Sequence, residues 1–334
     1  MRVADLTTPA LLVDAAALEA NLADMASALP GPRLRPHVKA HKTTALAARQ
    51  AAHGHHGFTC ATIREIEGMA AAGLGTDLLL ANEVLDARRL GRVVDNGARV
   101  TVAVDSAETV RAAADGGVRE VLVDVDVGQH RCGTTPETAG ALADAARAAG
   151  LTVRGVMGYE GHLQMLADPA ERARRTTGCT DRLRVAHADV GGEIVSGGGT
   201  GTHAMNTFVT EIQAGSYALM DTAYTAAGLP FRQALTVLST VVFAGEGRAV
   251  ADAGLKALAT DHGHPTVPGG TVVSCADEHL TYTPGTPLRA GDRIRILPAH
   301  VDPTVVLHER LHVVDGDGPD AEVLDTWAVD LRGW

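Results

Sequence analysis

Nine short apolar runs, separated by stretches of helical length, fill the first two thirds of the chain and restrict its fold more than any other feature. The runs are Ala10 to Asp14, Leu34 to Val38, Gly57 to Cys60, Asp77 to Ala81, Val100 to Asp105, Val121 to Val127, Val153 to Tyr159, Glu193 to Gly197 and Tyr217 to Asp221. Ala-rich amphipathic segments such as Ala15 to Leu29, Thr43 to His53 and Thr135 to Ala149 lie between them. Eight or nine βα units in series predict an α/β protein with a (β/α)8 barrel of the TIM type; a doubly wound open sheet is the alternative. Beyond Gly228 the rhythm changes. Ala234 to Ala244, Arg248 to Gly254, Thr271 to Ala276 and Asp292 to Val301 are β-rich runs split by Gly and Pro turns, with almost nothing helical between them. The boundary falls in Gly228 to Gln233, giving a barrel over residues 1–228 and a mainly-β domain over 229–334.

A chain of 334 residues has room for two domains, and 46% hydrophobic with 21% charged residues fits a soluble globular protein. The net charge of −11 speaks against a nucleic-acid surface, which needs clustered Lys and Arg. An anionic ligand therefore needs a local pocket of amides or basic groups. Cys60, Cys132, Cys179 and Cys275 show no CxxC spacing, so reduced thiols are expected rather than a zinc knuckle or a disulfide framework. No signal-like segment opens the chain, and no apolar run approaches the roughly 20 residues that span a bilayer, so a cytoplasmic location without membrane contact is expected.

Chemistry concentrates at strand ends. In RPHVKAHKT (Arg35 to Thr43), Lys39 follows an apolar run and sits among His37, His41 and Lys42. Nearby positive charge and partial burial favour a neutral amine, the nucleophile that a Schiff base with pyridoxal phosphate requires. A basic strand end facing solvent or a phosphate is the plainer alternative. VSGGGTGT (Val195 to Thr202) follows a late strand, where glycines let backbone amides turn onto an anion, and Gly215, Ser216 and Tyr217 form a companion segment. The other reading is a flexible turn. In LPAHVDP, His300 and Asp302 are two apart, so on an extended segment both leave one face and can share a divalent ion; such a pair also arises by chance. Arg131 follows another buried run and either contacts a phenolate or carboxylate or pairs with Asp126. In GYEGH, Tyr159 is placed to lie against a cofactor ring and His162 to move a proton near neutral pH, unless that histidine is structural.

These runs, together with DLTTPALLVD (Asp5 to Asp14), ADAGLKALATDHG (Ala251 to Gly263) and GDRIRILPAHVDPTVVLH (Gly291 to His308), cover nearly the whole chain in one order. In that order they resemble the D-threonine aldolase and D-serine dehydratase group of pyridoxal phosphate enzymes, which share the alanine-racemase-type fold (fold-type III). The resemblance implies that Lys39 carries the cofactor as a Schiff base, with His37 and Tyr159 beside it and Arg131 on its phenolic oxygen. It implies a phosphate cup of Gly198, Gly199, Thr200, Gly215, Ser216 and Tyr217, and a divalent metal (Mn2+, Mg2+ or Zn2+) on His300 and Asp302. Such enzymes are typically homodimers. The implied reaction is cleavage of a D-β-hydroxy-α-amino acid, such as D-threonine, to glycine and an aldehyde, with His162 as candidate base. The alternative is dehydration of D-serine or D-threo-3-hydroxyaspartate. Dehydratases of the group tend to carry cysteine where this chain has Asp302, which favours the aldolase. A pyridoxal phosphate carrier would lack the β domain, and a racemase has no use for His300 and Asp302.

Overall fold

The structure, a computed structural model, describes residues 1–334. Contacts divide the chain into two compact units, one of Met25–Lys39, Leu46–Gly215 and Leu331–Trp334, the other of Met1–Asp24, Ala40–Ala45 and Ser216–Asp330. Strand β1 (Ala10–Asp14) belongs to the second of these. The first unit is built on seven parallel strands: β2 (Gly57–Cys60), β3 (Asp77–Leu80), β4 (Val100–Val104), β5 (Glu120–Asp124), β6 (Thr152–Gly158), β7 (Ile194–Gly197) and β8 (Glu211–Ile212), paired in that order.

Segment 34–37 joins the two edges of this sheet. Leu34 bridges Ile212 of β8, and His37 bridges Thr59 of β2, both in parallel. The Arg35 and His37 amides donate to the carbonyls of Ile212 (2.9 Å) and Ala214 (3.0 Å), while Thr59 N–H donates to Pro36 (2.9 Å). The ring therefore closes at eight positions, as the barrel requires. Pro36 has no N–H for β2, so the expected strand shrinks to two bridges and then turns through the 3-10 segment Val38–Ala40. Side-chain alternation sorts the layers. Leu79, Ala103, Leu122, Met157 and Ile194 cluster together, while Leu78, Leu80, Val102, Val104 and Val121 pack in a separate cluster with helix residues such as Ile66, Met69, Leu90 and Val110. Helices Ile63–Ala71 and Ala107–Asp115 start at capping boxes, Thr62 with Glu65 and Ser106 with Thr109, which explains where they begin.

Charges close the end of the ring where the strands begin. Asp77, at the start of β3, accepts from Arg35 (2.7 Å) and Arg154 (2.8 Å), and Arg35 also pairs with Glu211 (2.8 Å). Burial works to raise the Asp77 pKa, but Arg154 and Arg35 outweigh it and hold the carboxyl at about 2.

The second unit holds β9 (Leu235–Gly245), β10 (Arg248–Ala251), β11 (Gly270–Cys275), β12 (Leu280–Pro284), β13 (Arg293–Ile296), β14 (Arg310–Val314) and β15 (Val323–Ala328), with β1 among them. The sheet runs β11-β12-β10-β9-β1-β14-β15, with β13 also on β9. The first apolar run is thus not a barrel strand: β1 lies between β14, parallel, and β9, antiparallel. A continuously buried run such as Ala10 to Val13 shows that a strand is central, not which sheet it joins. The ninth run is corrected too, since Ser216–Ala218 is a 3-10 turn and the eighth ring position belongs to β8. The glycine loop accordingly follows the seventh position of the ring. All four cysteines are free thiols, and no helix is long and apolar enough to cross a membrane.

Candidate active site

Three side chains meet where the strands of the first unit end. Lys39 leaves the turn after segment 34–37 half-buried, its amide 3.4 Å from Nδ1 of the buried His37. Its Nζ lies 5.6 Å from the centroid of the Tyr159 ring, which follows β6. The Arg131 guanidinium, beyond β5, lies 5.8 Å from the same centroid. Two cations over one phenol ring form a positively charged, aromatic platform. Arg131 does not pair with Asp126. That carboxylate accepts from the amides of Gly128 (2.8 Å) and His130 (3.0 Å) and meets the His130 ring (2.8 Å), holding its own loop. Burial and then the neighbouring Glu83 push the pKa of the buried Asp124 well above the carboxylate range, and the charge of Arg131 works against them. His162 is exposed in the 3-10 turn Gly161–Leu163. Partial burial of its ring, then the charge of Arg175, lower its pKa, which favours the neutral ring.

The glycine loop is buried throughout Gly198 to Thr202, and its amides have side-chain partners. Gly198 N–H donates to Glu160 Oε2 (3.2 Å), Gly199 N–H to Thr202 Oγ1 (3.2 Å) and Gly201 N–H to Gln164 Oε1 (2.8 Å). Glycine is required at Gly198 by its left-handed φ of 72°, and at Gly201 because a Cβ would meet the Gln164 backbone at 1.9 Å. His203 Nδ1 sits 2.8 Å from the Thr200 carbonyl. Gly215 is the last buried residue of this unit's main segment. Glu160 and Gln164, which organise the loop, were not singled out from sequence. A buried carboxylate in GYEGH has no signature there.

The donor set fits pyridoxal phosphate. An amine, an aromatic face and a guanidinium stand in one cluster, matching the aldehyde, the ring and the phenolic oxygen of that cofactor.

In the second unit Ser216, Tyr217, His300 and Asp302 find their places. His300 is the N-cap of the helix Val301–Val306, and Asp302 lies in its first turn. The pair therefore does not share one face of an extended segment as the spacing alone suggested. Pro303, tolerated in a first turn, lets the helix start there. Asp221 fastens the segment by accepting from the Val301 amide (2.9 Å). Ser216 Oγ donates to Asp302 Oδ1 (3.2 Å), and Tyr217 is fully buried against Phe231, with ring centroids 5.7 Å apart. His300 Nδ1 is 2.6 Å from Asp261 Oδ2, and its ring stacks on His262 at 3.7 Å. Burial works to raise the Asp261 pKa, but the hydrogen bond and charge of His300 and the charge of His262 outweigh it. Ligand atoms of Asp261, His262 and His300 lie within 4.8 Å of one another, a donor set suited to a divalent cation. Sequence reading quoted Asp261 and His262 only as part of a β-domain motif; the adjacent Asp and His were the available signal.

The alanine racemase N-terminal domain family matches residues 13–222, and the serine dehydratase domain family matches residues 234–314. A D-threonine aldolase from Arthrobacter sp is 35% identical over 99% of this chain and 94% of its own length. A 3-hydroxy-D-aspartate aldolase from Paracoccus denitrificans is 34% identical over 100% of this chain and 94% of its own. The crystal structure of D-threonine aldolase from Filomicrobium marinum superposes with a TM-score of 0.93 at 35% identity, covering 98% of this chain and 96% of that one. A D-threo-3-hydroxyaspartate dehydratase, solved as a cysteine-to-alanine mutant in the metal-free form, gives a TM-score of 0.87 at 28% identity with full coverage of both chains, 100% each. The chain belongs to the D-threonine aldolase and hydroxyaspartate aldolase and dehydratase family of fold-type III pyridoxal phosphate enzymes.

Proposed function

We propose that this protein is a pyridoxal phosphate- and divalent-metal-dependent aldolase that splits D-β-hydroxy-α-amino acids of the D-threonine type into glycine and an aldehyde. The observation that carries the reading is that His300 caps helix Val301–Val306 and the carboxylate of Asp302 lies in its first turn. A nitrogen and a carboxylate oxygen suit Mn2+ or Mg2+ and also accept Zn2+. A thiolate in that role, as the resemblance gives for dehydratases, would favour Zn2+, and a D-threo-3-hydroxyaspartate dehydratase is among the relatives. Dehydration, supported by that relative, is the second reading.

Lys39 would hold the cofactor and Arg131 would face its phenolic oxygen, with His37 and Tyr159 beside them. Gly198, Gly199, Thr200, Gly215, Ser216 and Tyr217 would hold the phosphate. Bound there, the cofactor would supply an electron sink at the substrate Cα, and His300 and Asp302 would hold a metal able to lower the pKa of the β-hydroxyl. His162, its pKa lowered toward the neutral ring, takes the hydroxyl proton as the Cα–Cβ bond breaks and the carbonyl of the departing aldehyde forms. The glycine Cα regains a proton before glycine leaves. Homodimeric assembly in the cytoplasm completes the reading.

Incubation with D-threonine or D-phenylserine is expected to yield glycine and the corresponding aldehyde, with loss of turnover in EDTA and its return on adding Mn2+. Release of 2-oxobutyrate and ammonia from D-threonine would transfer the protein to the dehydratases.

A further inference from the structure

Glu160 is a carboxylate with 1% exposure and no cation as partner. Three donors satisfy it, and all come from one loop. Thr202 Oγ1 (2.8 Å) and Asn206 Nδ2 (3.2 Å) donate to Oε1, and Gly198 N–H (3.2 Å) donates to Oε2. Thr202 Oγ1 in turn receives Gly199 N–H (3.2 Å) and Gln164 Nε2 (3.2 Å), so a polarised chain runs from the Gly199 amide through the hydroxyl to the carboxylate. Gln164 also binds the Glu160 carbonyl (3.3 Å) and, through its oxygen, Gly201 N–H (2.8 Å).

A buried carboxylate without a counter-ion is costly, and only donors aimed at both oxygens offset that cost. An amide in its place would offer one acceptor oxygen and turn an NH2 toward either Gly198 N–H or the Thr202 and Asn206 donors. Facing Gly198, it sets donor against donor; facing the other pair, it is met only if the Asn206 amide turns over, and it crowds a hydroxyl that already receives two donors. An acceptor-only group satisfies every donor of the loop as it stands, folded back onto the end of β6.

We propose that Glu160 is a positioning residue that, through Gly198, Thr202 and Asn206, gives the glycine loop the shape in which it receives the cofactor's phosphate. The proposal rests on the pyridoxal phosphate reading above and concerns the phosphate end alone. It therefore separates two ligands: pyridoxal phosphate and pyridoxal, which has the same aldehyde and ring but no phosphate.

The test measures the affinity of cofactor-stripped protein for each ligand by absorbance titration, in wild type, Glu160→Gln, Glu160→Ala and Thr202→Val. Affinity for pyridoxal phosphate is expected to fall roughly tenfold or more in the three variants, while affinity for pyridoxal stays within about twofold. Thr202→Val removes the relay and one donor to the carboxylate while leaving Glu160 itself in place, and it carries the test if the Glu160 variants do not fold. Equal losses for both ligands, or no loss for either, overturn the proposal and leave Glu160 a structural residue. A wild-type protein that binds pyridoxal phosphate no better than pyridoxal would instead take down the functional reading, and this proposal with it.

Discussion

Replacing Asp77 by Asn isolates the charge that ties the strand-start end of the ring together. The carboxylate bridges two arginines whose side chains are only 5% and 6% exposed, at 2.7 Å and 2.8 Å. Its pKa of about 2 lies below the ordinary 3.8, which corresponds to about 2 kcal/mol of native-state stability at pH 7. Because the folded pKa is the lower one, that stability is complete above about pH 5 and fades as the carboxylate protonates on the way down to pH 2. At pH 3 about 1 kcal/mol of it remains. Asn mimics the protonated form, so the gap between variant and wild type should follow the same curve. Arg35 keeps Glu211 at 2.8 Å and Arg154 keeps Glu193 at 3.1 Å, which holds the loss below the cost of stranding a buried charge. Urea unfolding followed by circular dichroism at pH 7, 5 and 3 measures the gap. A gap that stays constant from pH 7 to pH 3, or no gap at pH 7, would refute the reasoning. Turnover per folded molecule should not change, since Lys39, Tyr159 and Arg131 lie where the strands end.

Three further outcomes follow from named contacts. Asp261→Asn weakens the acceptor at His300 Nδ1, 2.6 Å away, and should lower affinity for Mn2+ about tenfold in a metal titration while cofactor absorbance persists; unchanged affinity would leave Asp261 without a role there. Asp302→Cys should reduce Mn2+-supported glycine formation about tenfold or more and shift the metal preference toward Zn2+; a variant that keeps full activity with Mn2+ counts against Asp302 as a ligand. Cys132 is an exposed residue, yet burial of its thiol, then the hydrogen bond and charge of Glu83, push its pKa up to about 11. Iodoacetamide at pH 8 should therefore alkylate it about a hundredfold more slowly than a free cysteine, and rapid labelling at Cys132 by mass spectrometry would contradict this.

The ring was legible because its strands alternate. Leu79, Ala103 and Leu122 take one face while Leu78, Val102 and Val121 take the other, and capping residues such as Thr62 and Ser106 separate the units. The partner of β1 was not legible, because Ala10 to Val13 are buried on both faces and such a run fits any central strand. Its neighbours in β9 and β14 lie more than 200 residues away in the chain, and pairing at that separation leaves no local mark. The same limit applies to the segment around His300. His300 and Asp302 stand out as a motif, but Asp261 is 39 residues from His300 and is brought to it by the fold of the β unit.

The glycine loop shows why a correct motif can carry an incomplete reason. VSGGGTGT was read as a run of amides turned onto an anion, a reading that explains why side chains are absent but not where each N–H goes. Here the absence of side chains has other causes: a left-handed turn at Gly198 and the close approach of Gln164 at Gly201. Three of the amides donate to Glu160, Thr202 and Gln164, so their first task is to hold the loop in shape. Glycine patterns report only that the backbone needs room or an unusual turn. Whether the space serves a ligand or a neighbouring side chain is decided by residues such as Glu160, whose buried acceptor becomes visible only once β6 and β7 lie side by side.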